Sequence, residues 1–577
     1  MRAHRILWIL IGLLLQSAFA SAQDPPAKPP SSVLPTEIAP YVAPQTAAAP
    51  GTFDDVVERA VEREHELLAR MTTLRPMLET YVQSMKANAD GPTPVQDEYF
   101  LRRLDLSNGP GGIAFLSEEE SAKRKDRKQE EKLISAFAQP LQPAGIARML
   151  VLDTDLYKKY YTFTYVRREF LGEVRCIVVD VQPHADAPAG RFAGRIWVED
   201  RDYNIVRFNG SYSGHSANAP YVHFDSWRLN MQPGVWLPAY VYTEESDSDN
   251  GFGHVHMKAQ TRLWGYDLYG AGRSRNQEFT EIAVDGRQVS DQSGATSDAA
   301  PVVAERMWER QAEDNALERL EDIGLLAPSG DVDTVLQTVI NNLVLSNNLT
   351  VAPEVRSRVL LTAPLESFVV GHTIVISRGF LDVLPDETAL AMVLAHELSH
   401  IVLGHRNDNE LAFNDRILFP DERLFQHLDF ARSSAEEEAA DAKALELLKN
   451  SPYKNSLPSA ALFLRELQQH APDLPNLIRP HLGNSFAFGS APRMEALLAS
   501  APHLDEQRID QIAALPLGGR IKLDPWSDRV ELVKAKPLTL ALPREKMPFE
   551  ITPFFPYLSR VGNLPGDKVA SAGADTK

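Results

Sequence analysis

A single cysteine, Cys176, stands in 577 residues, which excludes an internal disulfide and any dithiol redox chemistry. It lies in the apolar run Cys176-Ile177-Val178-Val179 and reads as a buried core thiol. Long apolar runs are also missing. After residue 22 no stretch of about 18 consecutive apolar residues occurs, so no membrane-spanning helix is predicted. Positive charge is short: 59 Lys and Arg face 78 Asp and Glu, a formal net charge of −19. That balance excludes nucleic acid as the main partner and anionic membranes as a surface bound by bulk charge. No tandem repeat is found in the helical C-terminal part.

The first residues have another purpose. Met1–Arg5 is basic, Ile6–Leu15 is apolar, and Ala20-Ser21-Ala22 is a small-x-small cleavage site before Gln23. This pattern is a signal peptide, too short for a membrane span. No Cys follows the cleavage site, so lipid attachment is not indicated. The reading is an exported chain, periplasmic first and secreted second, with no transmembrane anchor after cleavage.

The chemistry concentrates in His396-Glu397-Leu398-Ser399-His400, inside the run Pro385–His405. Asp386 is placed to cap a helix N-terminus, with Glu387 in the first turn. From Ala389 to Leu403 nearly every other residue is apolar, the pattern of a helix buried all round. Two histidines and a glutamate there need partners, because burying a polar group alone is costly. His396 and His400 are four apart and share a face, so they can hold one Zn²⁺, with Glu397 beside them as general base. Hydrogen-bonded core histidines are the competing reading; it explains one buried His but not two in register with a Glu.

A third protein ligand is required. The extended motif would place Gly at 403 and His at 406, but the chain has Leu403 and Arg406, and His405 falls off the ligand face. Glu437, in Ser433-Ser434-Ala435-Glu436-Glu437-Glu438-Ala439-Ala440-Asp441, is the best candidate. Glu437 and Asp441 share a helix face, where like charges repel. A cation at Glu437, with Asp441 bonded to a ligand histidine, removes that conflict. Ala439, Ala440 and Ala444 allow close approach of the two helices. Glu437 also reads as the third residue of a capping box with Ser434, although Ser433 with Glu436 offers the same box and leaves Glu437 free.

These residues resemble the HtpX/CAAX-prenyl-protease family of gluzincin zinc metallopeptidases, in its soluble exported form. Residues 366–381 and 386–396 resemble that family's edge strand and active helix, and the likeness spans about residues 330–515. The resemblance implies one Zn²⁺ per chain on His396, His400 and Glu437, Glu397 as catalytic base, and Asp441 orienting a ligand. It implies a polypeptide substrate added as an extended strand near Phe368–Ile376, drawn from misfolded or mis-assembled envelope proteins. Two departures stand out: Glu366-Ser367-Phe368 replaces Asn-Ala-Phe, and Ser490-Ala491-Pro492-Arg493 replaces a His-Pro pair with a following Arg. Arg493 and Arg508 are the candidates for stabilising an oxyanion, each equally readable as a surface ion pair. His481 and His503 are further candidates, each also a plain loop histidine. Asn407–Phe430 is a candidate gating loop.

The rest of the chain divides by pattern. Residues 23–50 are a Pro/Ala-rich linker. Residues 51–139 are read as a helical and charged segment, with an amphipathic helix from Phe53 to about Lys86 and a solvated run at Ser117–Lys132. Residues 140–285 show period-two alternation and predict an antiparallel β domain of about six or seven strands. Its Gly194–Arg207 hairpin resembles the LolA/LolB-like lipoprotein-carrier fold, half-barrel-like, which can cradle an acyl chain; a packing or substrate-presenting module is the plainer reading. His254 and His256 share a strand face but read as a surface pair. Residues 286–300 are a linker and 301–515 the mostly helical zinc metallopeptidase domain with a small edge-strand element. Asn348-Leu349-Thr350 is a glycosylation sequon by pattern alone. Residues 516–577 are a C-terminal extension, extended or disordered from about Pro543. The fold class is thus α+β multidomain. Zinc endopeptidase is the leading function. A binding or chaperone module for lipoprotein or outer-membrane-protein clients, with structural or regulatory zinc, is the alternative.

Overall fold

The computed structural model describes residues 50–88, 91–107, 111–114, 143–152, 158–188, 190–212, 222–249, 254–266, 314–328, 330–405, 428–487, 493–501, 521–524, 529–532 and 549–561, with positions 156, 268 and 425. The expected signal peptide, linker residues 23–49 and 286–300, and Ser117–Lys132 lie outside the described residues.

Ten antiparallel strands form one sheet. They are β1 (Met77–Asn88), β2 (Gly91–Asp105), β3 (Gly111–Ala114), β4 (Tyr161–Leu171), β5 (Val174–Pro183), β6 (Phe192–Glu199), β7 (Ile205–Tyr212), β8 (His223–Gln232), β9 (Val235–Asp249) and β10 (His254–Trp264). The order is β3-β2-β1-β10-β9-β8-β7-β6-β5-β4, so the sheet is open, with β3 and β4 as edges. The β domain expected from residue 140 onward is seven of these strands. The other three correct the reading of residues 51–139 as helical. Helix α1 (Phe53–Met71), with its Thr52/Asp55 capping box, ends well before Lys86. Thr72 and Thr73 follow it, and Pro76 can neither donate a backbone hydrogen bond nor continue a helix. Beyond Pro76 the chain enters the middle of the sheet, Met77 pairing with Trp264 and with Arg103.

The two faces of the sheet carry different partners. On one, Phe192, Phe208, Phe224 and Tyr212 make a ring cluster with centroids 5.6–6.1 Å apart. Helix α1 buries Val56, Val57, Ala60, Leu67 and Met71. It also buries Glu64, which binds Arg228 of β8 through two bonds of 2.7 Å. Short helix α2 (Pro143–Leu150) leads into the same region, where Leu152 N donates to Glu64. The opposite face presents Trp197, Arg207, Trp227, Trp236 and Tyr240, and residues 549–561 lie across it. The tail expected to be extended or disordered is therefore, over these residues, packed; residues 562–577 lie outside the description.

A second, three-stranded sheet has the order β11-β13-β12, from β11 (Arg356–Leu360), β12 (Ser367–Val370) and β13 (Thr373–Ser377). Around it stand a helical stretch over 314–323, α3 (Asp331–Ser346), α4 (Arg378–Val383), α5 (Glu387–Leu403), α6 (Ser434–Lys449), α7 (Leu457–His470) and the short α8 (Pro475–Ile478) and α9 (Glu495–Leu498). Buried carboxylates join the two sheets' surroundings. Glu79 of β1 accepts from Ala363 N at 2.5 Å, Arg378 Nη2 at 2.9 Å and Tyr99 OH at 2.9 Å. Asp97 of β2 accepts from Asn476 N at 3.0 Å and Leu477 N at 2.7 Å, capping α8. Among the described residues no helix is long and apolar enough to cross a membrane.

Candidate metal centre

Helix α5 starts where the sequence places it, with the Asp386 carboxylate accepting from Ala389 N at 2.8 Å. Every residue from Thr388 to His400 is buried. Gly404 ends the helix in the left-handed region at φ 71°, which folds His405 back onto the last turn. Helix α6 begins at Ser433 with a Ser433/Glu436 capping box, so Glu437 is not used as a cap. Ala440 and Ala444 are fully buried and let α6 approach α5.

That approach brings three ligand atoms together. His396 Nε2 and His400 Nε2 are 3.1 Å apart. Glu437 Oε2 is 3.3 Å from the first and Oε1 3.4 Å from the second. A tetrahedral ion with bonds of about 2.0–2.1 Å separates its ligands by about 3.3 Å, so the trio fits one Zn²⁺-sized cation. Two imidazoles and a carboxylate are also the donor set that suits zinc. Glu437 Oε2 is buried without a well-aligned hydrogen bond, although Arg493 Nη2 lies 2.6 Å away.

The outer nitrogens of both rings are held. His396 Nδ1 lies 3.0 Å from Asp441 Oδ1, leaving its Nε2 toward the cation position. His400 Nδ1 lies 2.8 Å from His405 Nδ1. With His400 donating, its Nε2 is likewise free to ligate. His405, read from spacing as off the ligand face, is correctly outside the trio but touches one of its members; the Gly404 turn, not helix periodicity, puts it there.

Glu397, next to His396 on α5, accepts from Ser367 Oγ of β12 at 2.7 Å. Ser367 was not singled out by sequence as a site residue; the only signal was its place in the departure from Asn-Ala-Phe. Its neighbour Glu366 turns away and accepts from His481 N at 2.8 Å, and burial pushes its carboxyl up to about 8. His481 stacks on Tyr99 with centroids 5.5 Å apart and does not join the trio. Arg493 binds Asp441 with two bonds of 2.9 Å and reaches to 3.1 Å from His396 Nε2. Arg508, His503 and all but Phe425 and 428–430 of the Asn407–Phe430 loop lie outside the described residues. Within that remainder, Phe430 stacks on Phe368 of β12 at 4.6 Å. His256 faces Glu244 at 3.5 Å, away from this site.

Electrostatics favours a cation. Glu397, Glu437 and Asp441 supply three buried or largely buried carboxylates, against one guanidinium from Arg493. Burial opposes the charge on Glu437 and Asp441. Hydrogen bonds from His396, with His400 at Glu437 and Arg493 at Asp441, outweigh it and hold both well below the usual carboxylate range. Burial also pulls His396 down, but Asp441 and Glu437 overcome it and raise the ring to about 9.

Residues 330–412 match peptidase family M48. No curated protein matches the chain. Solved structures similar to it include a LolA superfamily protein from Nitrosomonas europaea, 9% identical, covering 38% of this chain and 93% of that one with a TM-score of 0.20. A DUF1329 family protein from Desulfovibrio piger is 10% identical, covering 39% and 98% with a TM-score of 0.19. A MucA/MucB complex structure from Pseudomonas aeruginosa is 10% identical, covering 36% and 93% with a TM-score of 0.14. The M48 match contains α3, the small sheet and α5, and supports a metallopeptidase; Glu437, Asp441 and Arg493 lie beyond it.

Proposed function

We propose that the chain is a zinc-dependent endopeptidase acting on proteins of the cell envelope, misfolded or mis-assembled ones among them. The carrying observation is the convergence of His396, His400 and Glu437 within 4.8 Å, with Glu397 on the same helix. The three would hold one Zn²⁺, which when bound supplies Lewis-acid activation of water and of the scissile carbonyl. Glu397 takes the proton of the attacking water and returns one to the leaving amine. Ser367 holds that carboxylate in place, and Asp441 and His405 hold the outer nitrogens of the two imidazoles. A substrate segment would lie extended beside β12, the strand that carries Ser367. Arg493, pinned by Asp441, is the described candidate for stabilising the oxyanion, with Arg508 the second. The envelope assignment rests on the signal-like sequence Met1–Ala22.

Hydrolysis of unfolded casein by the purified chain from Gln23 onward tests the reading. Cleavage is expected to disappear with a chelator and return with added zinc. Cleavage that persists in chelator, or none from the zinc-loaded chain, overturns it.

A further inference from the structure

Residues 549–561 cross the large sheet instead of pairing with it. They start at β1, where the buried Gln83 amide donates to Phe549 O at 2.5 Å and accepts from Ile551 N at 2.7 Å. Glu550 then meets Lys258 of β10, Phe554 packs on Tyr240 of β9, and Phe555 packs on Trp227 of β8 with centroids 5.6 Å apart. Arg207 of β7, between Trp197 and Trp227, lies 5.0 Å from the Phe555 ring. Leu558 is fully buried at the β4–β5 turn, where its carbonyl accepts from Glu173 N at 2.8 Å. Gly172 there has φ 68°, and a Cβ on it would come within 2.5 Å of Leu558 O. Arg560 ends the crossing on buried Glu199 at 2.5 Å and over the Trp236 ring. Val561 N donates to Asn230 Oδ1 at 2.8 Å.

We propose that this sheet face is a binding site for an extended polypeptide segment, and that residues 549–561 are its resident, exchangeable ligand. The site goes beyond the hydrolytic reading, since it is separate from the metal centre. The segment's backbone is gripped by Gln83, Glu173 N and Asn230, contacts available to any sequence. Selectivity comes from a place for an aromatic at Phe555, an aliphatic three residues on at Leu558, and a cation two further at Arg560. The resident segment uses its site incompletely. Phe554, edge-on to Tyr240, and Tyr557 remain 55% and 71% exposed. The Trp236 indole Nε1, 3% exposed for the residue and beneath Arg560, has no hydrogen-bond partner among the described residues. A polar cavity of about 330 Å³, bounded by Phe170, Glu173, Arg175, Asp200 and Arg560, opens where the crossing ends. The occupant is a client chain of that aromatic-aliphatic-cation chemistry, held without being cut.

The test cuts the full chain at a specific protease site introduced between Pro537 and Pro543, then adds a fluorescent peptide spanning Phe549–Val561. The cut chain is expected to exchange its own segment for the peptide, the uncut chain to bind none, and unfolded casein to compete. A peptide carrying Phe555→Ser and Arg560→Ala should bind at least roughly tenfold more weakly. An uncut chain with Phe555→Ser, Leu558→Ser and Arg560→Ala should also take up the wild-type peptide. A cut segment that never exchanges, unfolding of both the cut chain and the triple variant, or peptide binding that casein leaves untouched would each overturn the proposal. Binding is read without turnover, so its failure is distinguishable from a failure of hydrolysis.

Discussion

Glu397→Gln is expected to lower kcat on an unfolded protein about 10²–10⁴-fold, about 2.7–5.5 kcal/mol of barrier, while zinc content stays unchanged. The substitution is nearly isosteric, and the Gln carbonyl oxygen can still accept from Ser367 Oγ, which now sits 2.7 Å from Glu397 Oε1. The substitution leaves the three candidate ligands His396, His400 and Glu437 unaltered. What is lost is the capacity to take a proton. Steady-state kinetics beside metal analysis checks this. Activity within tenfold of wild type, with zinc bound, would show that the base lies elsewhere.

Arg228→Ala should destabilise the chain by about 3–5 kcal/mol. Arg228 and Glu64 are 2% and 1% exposed, and the pair has fork-to-fork geometry. Arg228 also donates to Ile205 O at 2.9 Å and Leu150 O at 3.3 Å, so it ties α1, α2 and the sheet together. Truncating it leaves a buried carboxylate with only the Leu152 N–H for a partner among the described residues. Replacing both members, Glu64→Met with Arg228→Leu, should recover much of the loss, because the penalty comes from the orphaned charge. Urea unfolding followed by tryptophan fluorescence measures both. A loss under about 1 kcal/mol for Arg228→Ala would mean the pair contributes no more than a surface ion pair does.

The clustering of His396, His400 and Glu437 was legible because its signal is local. Charged and imidazole side chains in an otherwise apolar helix, four apart, admit few explanations, and Glu437 with Asp441 repeats the spacing on a second helix. Ser433 with Glu436 took the cap, as the alternative allowed. What could not be read was set by distant partners. Strand β1 is buried on both faces from Met77 to Gln83, and its polar Glu79, Thr80 and Gln83 hide any period of two. The partners of Glu79 and Gln83, namely Ala363, Arg378 and Ile551, lie hundreds of residues away. The crossing segment 549–561, rich in proline and aromatics, has no period at all. Its order comes from the sheet beneath it. The contact of His405 with His400 was hidden for a smaller reason: a left-handed glycine, Gly404, resets the direction of the chain, and helical spacing no longer applies after it.

The most direct measurement is the zinc content of the purified chain after gel filtration, taken on the wild type, on His396→Ala with His400→Ala, and on Glu437→Ala. The expected result is one zinc per wild-type chain, none in the double variant, and a reduced, chelator-labile content in Glu437→Ala. Full zinc retained by the double variant would place the metal away from α5 and contradict the assignment of this centre.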